Sequence, residues 1–466
     1  MHILLLCVTL GACASLPDVT YLKDSLNPGT VPTIENGQGK ITARKTESLL
    51  ARKLRNSRMD IKTLAALEEA ATGSPLIAGN KVTLLFDGPQ TMSSMTEVIS
   101  GAKDHINLET YIFEQDEIGL RFADLLIAKQ KEGVQVNVIY DSVGSLKTPP
   151  QFFQRMKDAG IHLLAFNPVN PLARLGRWRL NNRDHRKILV VDGKVGFAGG
   201  VNISATYANS SVFRSGRGKE GEHDGGSGGS GSHGSSGKVG WRDTHIKIEG
   251  PAVALLQYLF LETWAKQSGK ELPESDFFPA LKEEGNKLVR ILGSEPGGDY
   301  DIYKSYFLAI QEARKSIHIT SAYFVPDRQI LDALMQAARR GVDVRLVLPS
   351  VSDSGLVMHA GQSFYEELLE SGVKVHQLQI AVLHAKTAVI DGVWSTIGST
   401  NIDTRSFLHN NEVNVIILGE EFGRDMESAF QEDLRHTVEV TKEQWKHRPF
   451  VDRVKEWTGR TFEYWL

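Results

Sequence analysis

The sequence predicts an α/β protein built from two copies of one domain. Helical segments and short β-branched apolar segments alternate along the chain, which is the pattern of sheets covered by helices. Segments of the first half return about two hundred residues later, at the scale of a duplicated domain. The repeated pairs are "AKDHINLETYIFEQD" (102–116) with "ARKSIHITSAYFVPD" (313–327), and "GVQVNVIYDSVGS" (133–145) with "GVDVRLVLPSVSD" (341–353).

Two further stretches repeat with fixed internal spacing. They read "HRKILVVDGKVGFAGGVN" (185–202) and "HAKTAVIDGVWSTIGSTN" (384–401), and in both the His-to-Asp interval is 7 and the His-to-Asn interval is 17. The Asp-Gly pairs are typical of a hairpin turn. The small residues before each asparagine would let a backbone approach a ligand closely.

The start of each stretch predicts a strand with two chemical groups on one face. Residues i and i+2 of a strand point the same way, so His185 projects with Lys187 and His384 with Lys386. Together with the asparagine amides, the two copies offer two imidazoles, two ammonium groups and two amides. This set indicates an anion pocket that holds a nucleophile and an acid.

A phosphodiester substrate accounts for these groups. Lysine and asparagine can bind its non-bridging oxygens, above all as charge grows in the transition state. One histidine can attack phosphorus, while the other protonates the departing alkoxide and later deprotonates the incoming hydroxyl. We therefore predict neither a metal ion nor an organic cofactor.

Length and composition indicate an ordinary globular protein that is long enough for two large domains or more. It has 466 residues, of which 41% are hydrophobic and 23% charged, and a formal net charge of -3. Such a chain does not coat nucleic acid by electrostatics alone, and we predict no nucleic-acid partner. Oligomeric state stays open.

The first residues predict export and lipidation. The two cysteines, Cys7 and Cys13, lie in "MHILLLCVTLGACAS", so no disulfide framework forms in the body of the chain. The apolar run 3–10 is too short to span a bilayer but fits a signal peptide over 1–12. "LGAC" resembles the lipobox of bacterial lipoproteins, although only His2, and no Lys or Arg, precedes the run. We predict a protein of the bacterial cell envelope, anchored to the membrane through lipidated Cys13.

The remaining chain divides into three parts. Residues 13–78 are predicted as a tether followed by amphipathic packing helices, and residues 79–285 as the first domain. The first domain carries a Gly/Ser-rich insertion over 215–238, whose composition predicts a flexible loop. Residues 286–466 are predicted as the second domain.

Both His-x-Lys stretches resemble the H-x-K-x4-D signature of the phospholipase D superfamily, and the similarity extends over nearly all of the chain from Gly79 onward. The segments most like bacterial cardiolipin synthases are "ETYIF", "NRDHRKILVVDGKVGFAGGVNI", "WRDTHIKIEGPAV", "SAYFVPD" and "GSTNIDTRSFLHNNEVN". The resemblance implies two tandem α/β/α sandwich domains related by pseudo-twofold symmetry, with one active site at their interface.

The resemblance also implies a role for each site residue. The expected catalytic residues are His185, Lys187, Asp192, His384, Lys386 and Asp391, with the two aspartates mainly holding the motifs in shape. The expected phosphate-binding residues are Asn202, Asn401 and Ser399. A carboxylate beyond each motif is expected to orient its histidine, Glu412 for His384 and Asp243 for His185. His185 is expected to be the nucleophile and His384 the general acid and base.

Several activities fit this signature. A phosphatidyltransferase would make cardiolipin from phosphatidylglycerol and a second phospholipid through a phosphohistidine, with phosphatidylethanolamine as a further candidate substrate. A phospholipase would pass the phosphatidyl group to water, a nuclease would cleave nucleic-acid phosphodiesters, and a lipoprotein could bind anionic lipid without turnover. We predict the phosphatidyltransferase.

Two segments combine basic and aromatic residues. They are "NPVNPLARLGRWRLNNR" and "RPFVDRVKEWTGRTFEYWL". The first supplies Arg174, Arg177, Trp178 and Arg179, and the second Trp457, Phe462, Tyr464 and Trp465. Both fit a membrane interface that holds anionic lipid, and both also fit a packed surface segment.

Overall fold

A computed structural model describes residues 15–54, 58–170, 181–208, 240–268 and 270–466. Some predictions fall outside these residues: the signal peptide (1–12), the lipidated Cys13, the insertion (215–238), and Arg174, Arg177, Trp178 and Arg179. Within the described residues, no helix is both long enough and apolar enough to cross a bilayer.

The elements fall into an N-terminal segment and two halves. The N-terminal segment contains α1 (Leu22–Ser25), β1 (Ile34–Asn36), β2 (Gly39–Lys40), α2 (Ala43–Lys53) and α3 (Ile61–Thr72). The first half contains β3 (Leu76–Leu85), α4 (Gly88–Ser100), β4 (His105–Thr110), α5 (Glu117–Lys131), β5 (Gln135–Asp141), α6 (Pro150–Asp158), β6 (His162–Phe166), β7 (Arg183–Asp184), β8 (Ile188–Val191), β9 (Val195–Gly199), α7 (Ala205–Ala208), β10 (Trp241–Arg242), β11 (His245–Glu249) and α8 (Val253–Ser268).

The second half repeats this succession. It contains β12 (Lys287–Ser294), α9 (Asp301–Glu312), β13 (Ser316–Ser321), β14 (Phe324–Val325), α10 (Arg328–Arg339), β15 (Asp343–Pro349), α11 (Gly355–Gln362), α12 (Tyr365–Ser371), β16 (Lys374–Leu378), β17 (Val382–Leu383), β18 (Lys386–Ile390), β19 (Trp394–Gly398), β20 (Ile402–Asp403), α13 (Thr404–Leu408), β21 (Asn410–Leu418), α14 (Glu420–Leu434), β22 (Thr437–Val440), α15 (Lys442–Lys446) and α16 (Phe450–Thr461). A 3-10 turn over Glu463–Trp465 follows.

The two sheets have matching strand orders. The first runs β6-β5-β4-β8-β9-β11-β3, and the second runs β22-β16-β15-β13-β18-β19-β21-β12. In each sheet the βαβ strands pair in parallel, and the hairpin that carries His-x-Lys pairs antiparallel beside them. Strands β3 and β12 pair with each other and join the two sheets. The predicted duplicated α/β fold is confirmed.

The repeat also determines where corresponding helices begin. Asp116 and Asp327 close the two matching stretches, and each caps the helix that follows, α5 or α10, by accepting hydrogen bonds from backbone amides of its first turn. The turns after the His-x-Lys strands match as well. Asp192 and Asp391 both have a φ of 52°, and a glycine with positive φ follows each. Each Asp-Gly pair forms the centre of a tight turn, closed by hydrogen bonds from the Lys194 amide to the Val191 carbonyl and from the Val393 amide to the Ile390 carbonyl.

Separate cores lie under the helices of each half, and a third core joins the halves. The third core contains Ile188, Val190 and Ile248 from the first half together with Val389 and Val413 from the second. Helices α2 and α3 pack on the second half, where Leu50 and Leu64 enter its core. The domain boundaries at 79–285 and 286–466 remain a prediction.

Candidate active site

Two short ladders between the halves place the two histidines. Strand β7 pairs in parallel with the start of β21, and β10 pairs in parallel with β17. Immediately after β7, the backbone N–H of His185 donates to the carbonyl of Asn411 at 2.9 Å. Immediately after β17, the N–H of His384 donates to the carbonyl of Arg242 at 2.7 Å. Each histidine is therefore positioned by a strand of the opposite half.

The carboxylates are paired with the histidines across the interface. The Nδ1 atom of His185 lies 3.0 Å from Oε1 of Glu412, and Nδ1 of His384 lies 2.7 Å from Oδ2 of Asp243. The predicted pairing, in which Glu412 orients His384 and Asp243 orients His185, is therefore wrong. The ladders give the reason, because Glu412 follows the residue bonded to His185 and Asp243 follows the residue bonded to His384.

The small residues after each hairpin make room for these carboxylates. A Cβ on Gly200 would lie 2.1 Å from Oδ1 of Asp243. At the matching position, Ser399 is fully buried and its hydroxyl donates to Glu412. Ser399 was predicted to bind phosphate, and this is wrong in the structure because its hydroxyl is committed to the carboxylate. The small residues admit an opposing side chain rather than a ligand.

Each lysine of the signature bonds the backbone of its own histidine, and neither lysine is among the residues that line the cavity of the histidines. Both are almost fully buried, and their Nζ atoms donate to the carbonyl oxygens of the histidines two residues before them, at 2.6 Å for Lys187 and 2.5 Å for Lys386. Each ammonium group has further protons to offer a ligand beside it. Burial lowers the pKa of Lys187 to about 7 and also lowers the pKa of Lys386.

The aspartates of the signature serve the backbone. Asp192 accepts from the amide of Asp104 at 2.8 Å, and Asp391 accepts from the amides of Lys315 and Ser316 at 2.7 and 2.8 Å. Neither aspartate lines the cavity that contains the histidines. Their oxygens hold the segments just before and at the start of β4 and β13. The two aspartates therefore have the structural role that the resemblance implied, and their prediction as catalytic groups is wrong.

One cavity of about 360 Å³ receives groups from both halves. Both imidazoles face it, and since the carboxylates occupy Nδ1, each ring presents Nε2 to the interior. Asn202 and Asn401 also line it. The Asn202 amide donates to the hydroxyl of Tyr207 at 2.8 Å. Among the described residues, Oδ1 of Asn401 has no hydrogen-bond partner.

Further residues complete the cavity wall, and sequence reasoning assigned them no role. They are Tyr111, Ile112, Arg183, Tyr207, Trp241, Tyr323, Asp353, Val357, Asp403, Arg405, Ser406, Asn410 and Leu466. A signal existed for two of them, because Ile112 and Tyr323 occupy equivalent places in the first repeated pair, ten residues after Ala102 and Ala313. Trp465, named for its aromatic character, also lines the wall.

The two histidine–carboxylate pairs differ electrostatically. Burial and the neighbouring lysines lower the pKa of both imidazoles, most strongly for His185. Burial raises the pKa of Glu412 to about 7. Burial also raises the pKa of Asp243, but the charge and hydrogen bond of His384, the charge of Lys386 and the hydrogen bond from the Thr244 amide outweigh it, so this pKa lies below its ordinary value. Asp243 therefore remains ionised beside His384.

Two related α/β/α halves that bring a pair of His-x-Lys segments to one shared cavity define a phospholipase D-like protein. The family described as "Cardiolipin synthase, PLD-like domain" matches residues 95–211 and 306–434, which fall in the two halves. The predicted membership of the phospholipase D superfamily is confirmed.

Similar proteins of known name identify the family within this superfamily. The chain is 36% identical over 389 residues to cardiolipin synthase of Geobacillus kaustophilus, covering 83% of this chain and 72% of that protein. It is 34% identical over 380 residues to cardiolipin synthase 2 of Bacillus anthracis, covering 81% and 69%. The chain belongs to the cardiolipin synthase family. Its fold is similar to that of phosphatidylserine synthase from Haemophilus influenzae, with a TM-score of 0.59 and 12% identity over 83% of this chain and 95% of that one.

We expect the pKa of the buried Lys187 to lie far below that of ordinary lysines, which is about 10.4. In protein labelled with ¹³C at lysine Cε, the Lys187 resonance should titrate with a midpoint near pH 7, because burial disfavours its ammonium form. The substitutions Lys187→Arg and Lys386→Arg each remove one resonance and assign the pair. A midpoint above about pH 9 for Lys187 would show that water reaches the ammonium group.

Proposed function

We propose that this protein transfers a phosphatidyl group from phosphatidylglycerol to a glycerol hydroxyl of a second phospholipid and so makes cardiolipin. The observation that carries the proposal is the shared cavity, into which two imidazoles with carboxylate-bound Nδ1 atoms direct their Nε2 atoms. Membership of the cardiolipin synthase family supports the choice of substrates.

In the first step, Nε2 of His185 attacks phosphorus. A P–N bond forms, the P–O bond to the glycerol headgroup breaks, and His384 gives its proton to the departing alkoxide. The difference between the two carboxylates supports this division of roles. Ionised Asp243 at 2.7 Å stabilises an imidazolium at His384. The pKa of His185 is lowered most strongly, which favours the neutral, nucleophilic ring.

In the second step, the acceptor hydroxyl enters from the side that the headgroup left. His384 takes the hydroxyl proton, the oxygen attacks phosphorus, and the P–N bond breaks to release cardiolipin and restore His185. The proposed phosphate-binding groups are Asn202 and Asn401, which line the cavity, and the buried lysines Lys187 and Lys386, whose ammonium groups bond the backbone of the two histidines. Glu412 and Asp243 act as positioning residues.

The substrates require contact with a membrane. We propose phosphatidylglycerol as both donor and acceptor, because its headgroup carries the glycerol hydroxyl that the second step needs. Phosphatidylethanolamine is proposed as an alternative donor, with ethanolamine as its leaving group. Lipidation of Cys13 in the bacterial cell envelope would hold the protein at the surface that contains both lipids, since two acyl chains are enough for lasting attachment.

The products formed from defined vesicles test the reaction. Purified protein is incubated with phosphatidylglycerol vesicles, with and without phosphatidylethanolamine, and the products are separated. We expect cardiolipin with free glycerol, and ethanolamine as a further product if phosphatidylethanolamine is a donor. Phosphatidic acid as the main product would indicate a phospholipase, cleavage of DNA without lipid turnover would indicate a nuclease, and binding without turnover would indicate a lipid-binding protein.

A donor that needs no acid separates the roles of the histidines. With phosphatidyl-p-nitrophenol, the leaving group departs unprotonated, so His384→Ala should still form the P–N bond and then stall without its base. We expect a burst of about one nitrophenolate per protein, and an adduct that mass spectrometry maps to His185. His185→Ala should give no burst.

The matched control for this experiment is His436→Ala, which removes a half-buried histidine outside the cavity and should turn over repeatedly like the unaltered protein. A burst in His185→Ala together with none in His384→Ala would reverse the two roles.

A further inference from the structure

Helix α16 presents its apolar side to solvent. Phe450, Val451, Val454 and Trp457 are 78%, 61%, 45% and 71% exposed, and their spacing puts them on one face of the helix. The residues that α16 buries are Glu456 and Gly459. A helix on the surface of a globular protein ordinarily buries the apolar face and exposes the polar one.

Packing keeps the helix in this orientation. Gly459 lies against α11, where a Cβ would come within 2.6 Å of the backbone nitrogen of Ala360. Glu456 accepts three hydrogen bonds from the guanidinium of Arg448, at 2.9 to 3.1 Å. Rotating the apolar face inward would break this ion pair and the close helix contact. The exposed face is thus part of the folded structure.

The apolar face continues to the mouth of the cavity. After α16, Phe462 and Trp465 are 47% and 51% exposed, and Trp465 and Leu466 line the cavity. Val357, which lies on α11 beneath α16, lines it as well. We call the outward face of α16 together with residues 462–466 the apolar ramp.

The charge around the apolar ramp suits an anionic partner. Residues 442–466 contain six lysines and arginines against four aspartates and glutamates, in a chain whose net charge is -3. Within the described residues, Lys446 and Arg453 have no carboxylate within ion-pair distance; the Arg453 guanidinium instead donates to the backbone oxygen of Lys446. Basic residues beside exposed Trp and Phe are the composition of helices that lie in the headgroup region of a bilayer.

We propose that the apolar ramp docks on the surface of an anionic bilayer, with the apolar face of α16 among the lipid headgroups and the cavity mouth turned toward them. Docking in this position would let a phospholipid headgroup enter the cavity while its acyl chains stay in the membrane. This use of the surface rests on the proposed function, whereas the docking itself can be measured without turnover.

Vesicle sedimentation tests the docking. The full chain carries Cys13→Ser in every arm, so that lipidation does not mask the contribution of α16. We compare Phe450→Ser/Trp457→Ser with the control Tyr258→Ser/Phe278→Ser, which removes two residues that are each 54% exposed, one on α8 and one in the loop before β12. On vesicles of equimolar phosphatidylglycerol and phosphatidylcholine, we expect at least about tenfold weaker binding for the first pair and no change for the control.

Activity measurements separate docking from chemistry. On phosphatidylglycerol vesicles, turnover by Phe450→Ser/Trp457→Ser should fall with its binding, while turnover of a short-chain, monomeric phosphatidylglycerol should stay at the level of the control. Unchanged vesicle binding would overturn the proposal, and if a dimer became a monomer in the same variant, the ramp would be a contact between two copies of the chain. Binding without any lipid turnover by the unaltered protein would leave docking in place and refute the proposed function instead.

Discussion

Each active-site histidine is held by a carboxylate from the opposite half of the chain, and the architecture of the site depends on this exchange. The Glu412 and Asp243 side chains are fully or almost fully buried, where an isolated carboxylate is costly unless a hydrogen-bonded partner lies beside it. The partners are provided only when β7 meets β21 and β10 meets β17. Neither half can therefore complete a histidine–carboxylate pair by itself.

The duplication places equivalent groups on both sides of the cavity, but the chemistry needs two different ones. The difference comes from the neighbours of each carboxylate. Glu412 also accepts hydrogen bonds from the hydroxyl of Ser399 and the amide of Asn410, whereas Asp243 has the shorter contact with its histidine. Raised and lowered carboxyl pKa values follow from burial in the first case and from the charges of His384 and Lys386 in the second. A nearly symmetric fold thus holds two carboxyl groups whose pKa values are shifted in opposite directions.

The sequence predicts the duplicated fold because repetition at fixed spacing survives in short motifs, down to the capping residues Asp116 and Asp327. It does not predict which carboxylate contacts which histidine. The distance between two residues along the chain does not show which strands of the two halves pair with each other. Ser399 was misassigned for the same reason, since the residue facing it lies on another strand. The orientation of α16 was open because its periodicity defines an apolar face without saying whether protein covers it.

The titration of the two histidines in protein labelled at imidazole Cε1 tests the exchange of carboxylates most directly. His384→Gln and His185→Gln assign the resonances. In Asp243→Asn, we expect the pKa of His384 to fall, because the charge that favours its protonated form is lost, while the pKa of His185 stays within a few tenths of a unit. Glu412→Gln should act on His185 instead. A shifted pKa of His185 in Asp243→Asn, with that of His384 unchanged, would contradict the exchange of carboxylates, because it would pair each carboxylate with the histidine of its own half.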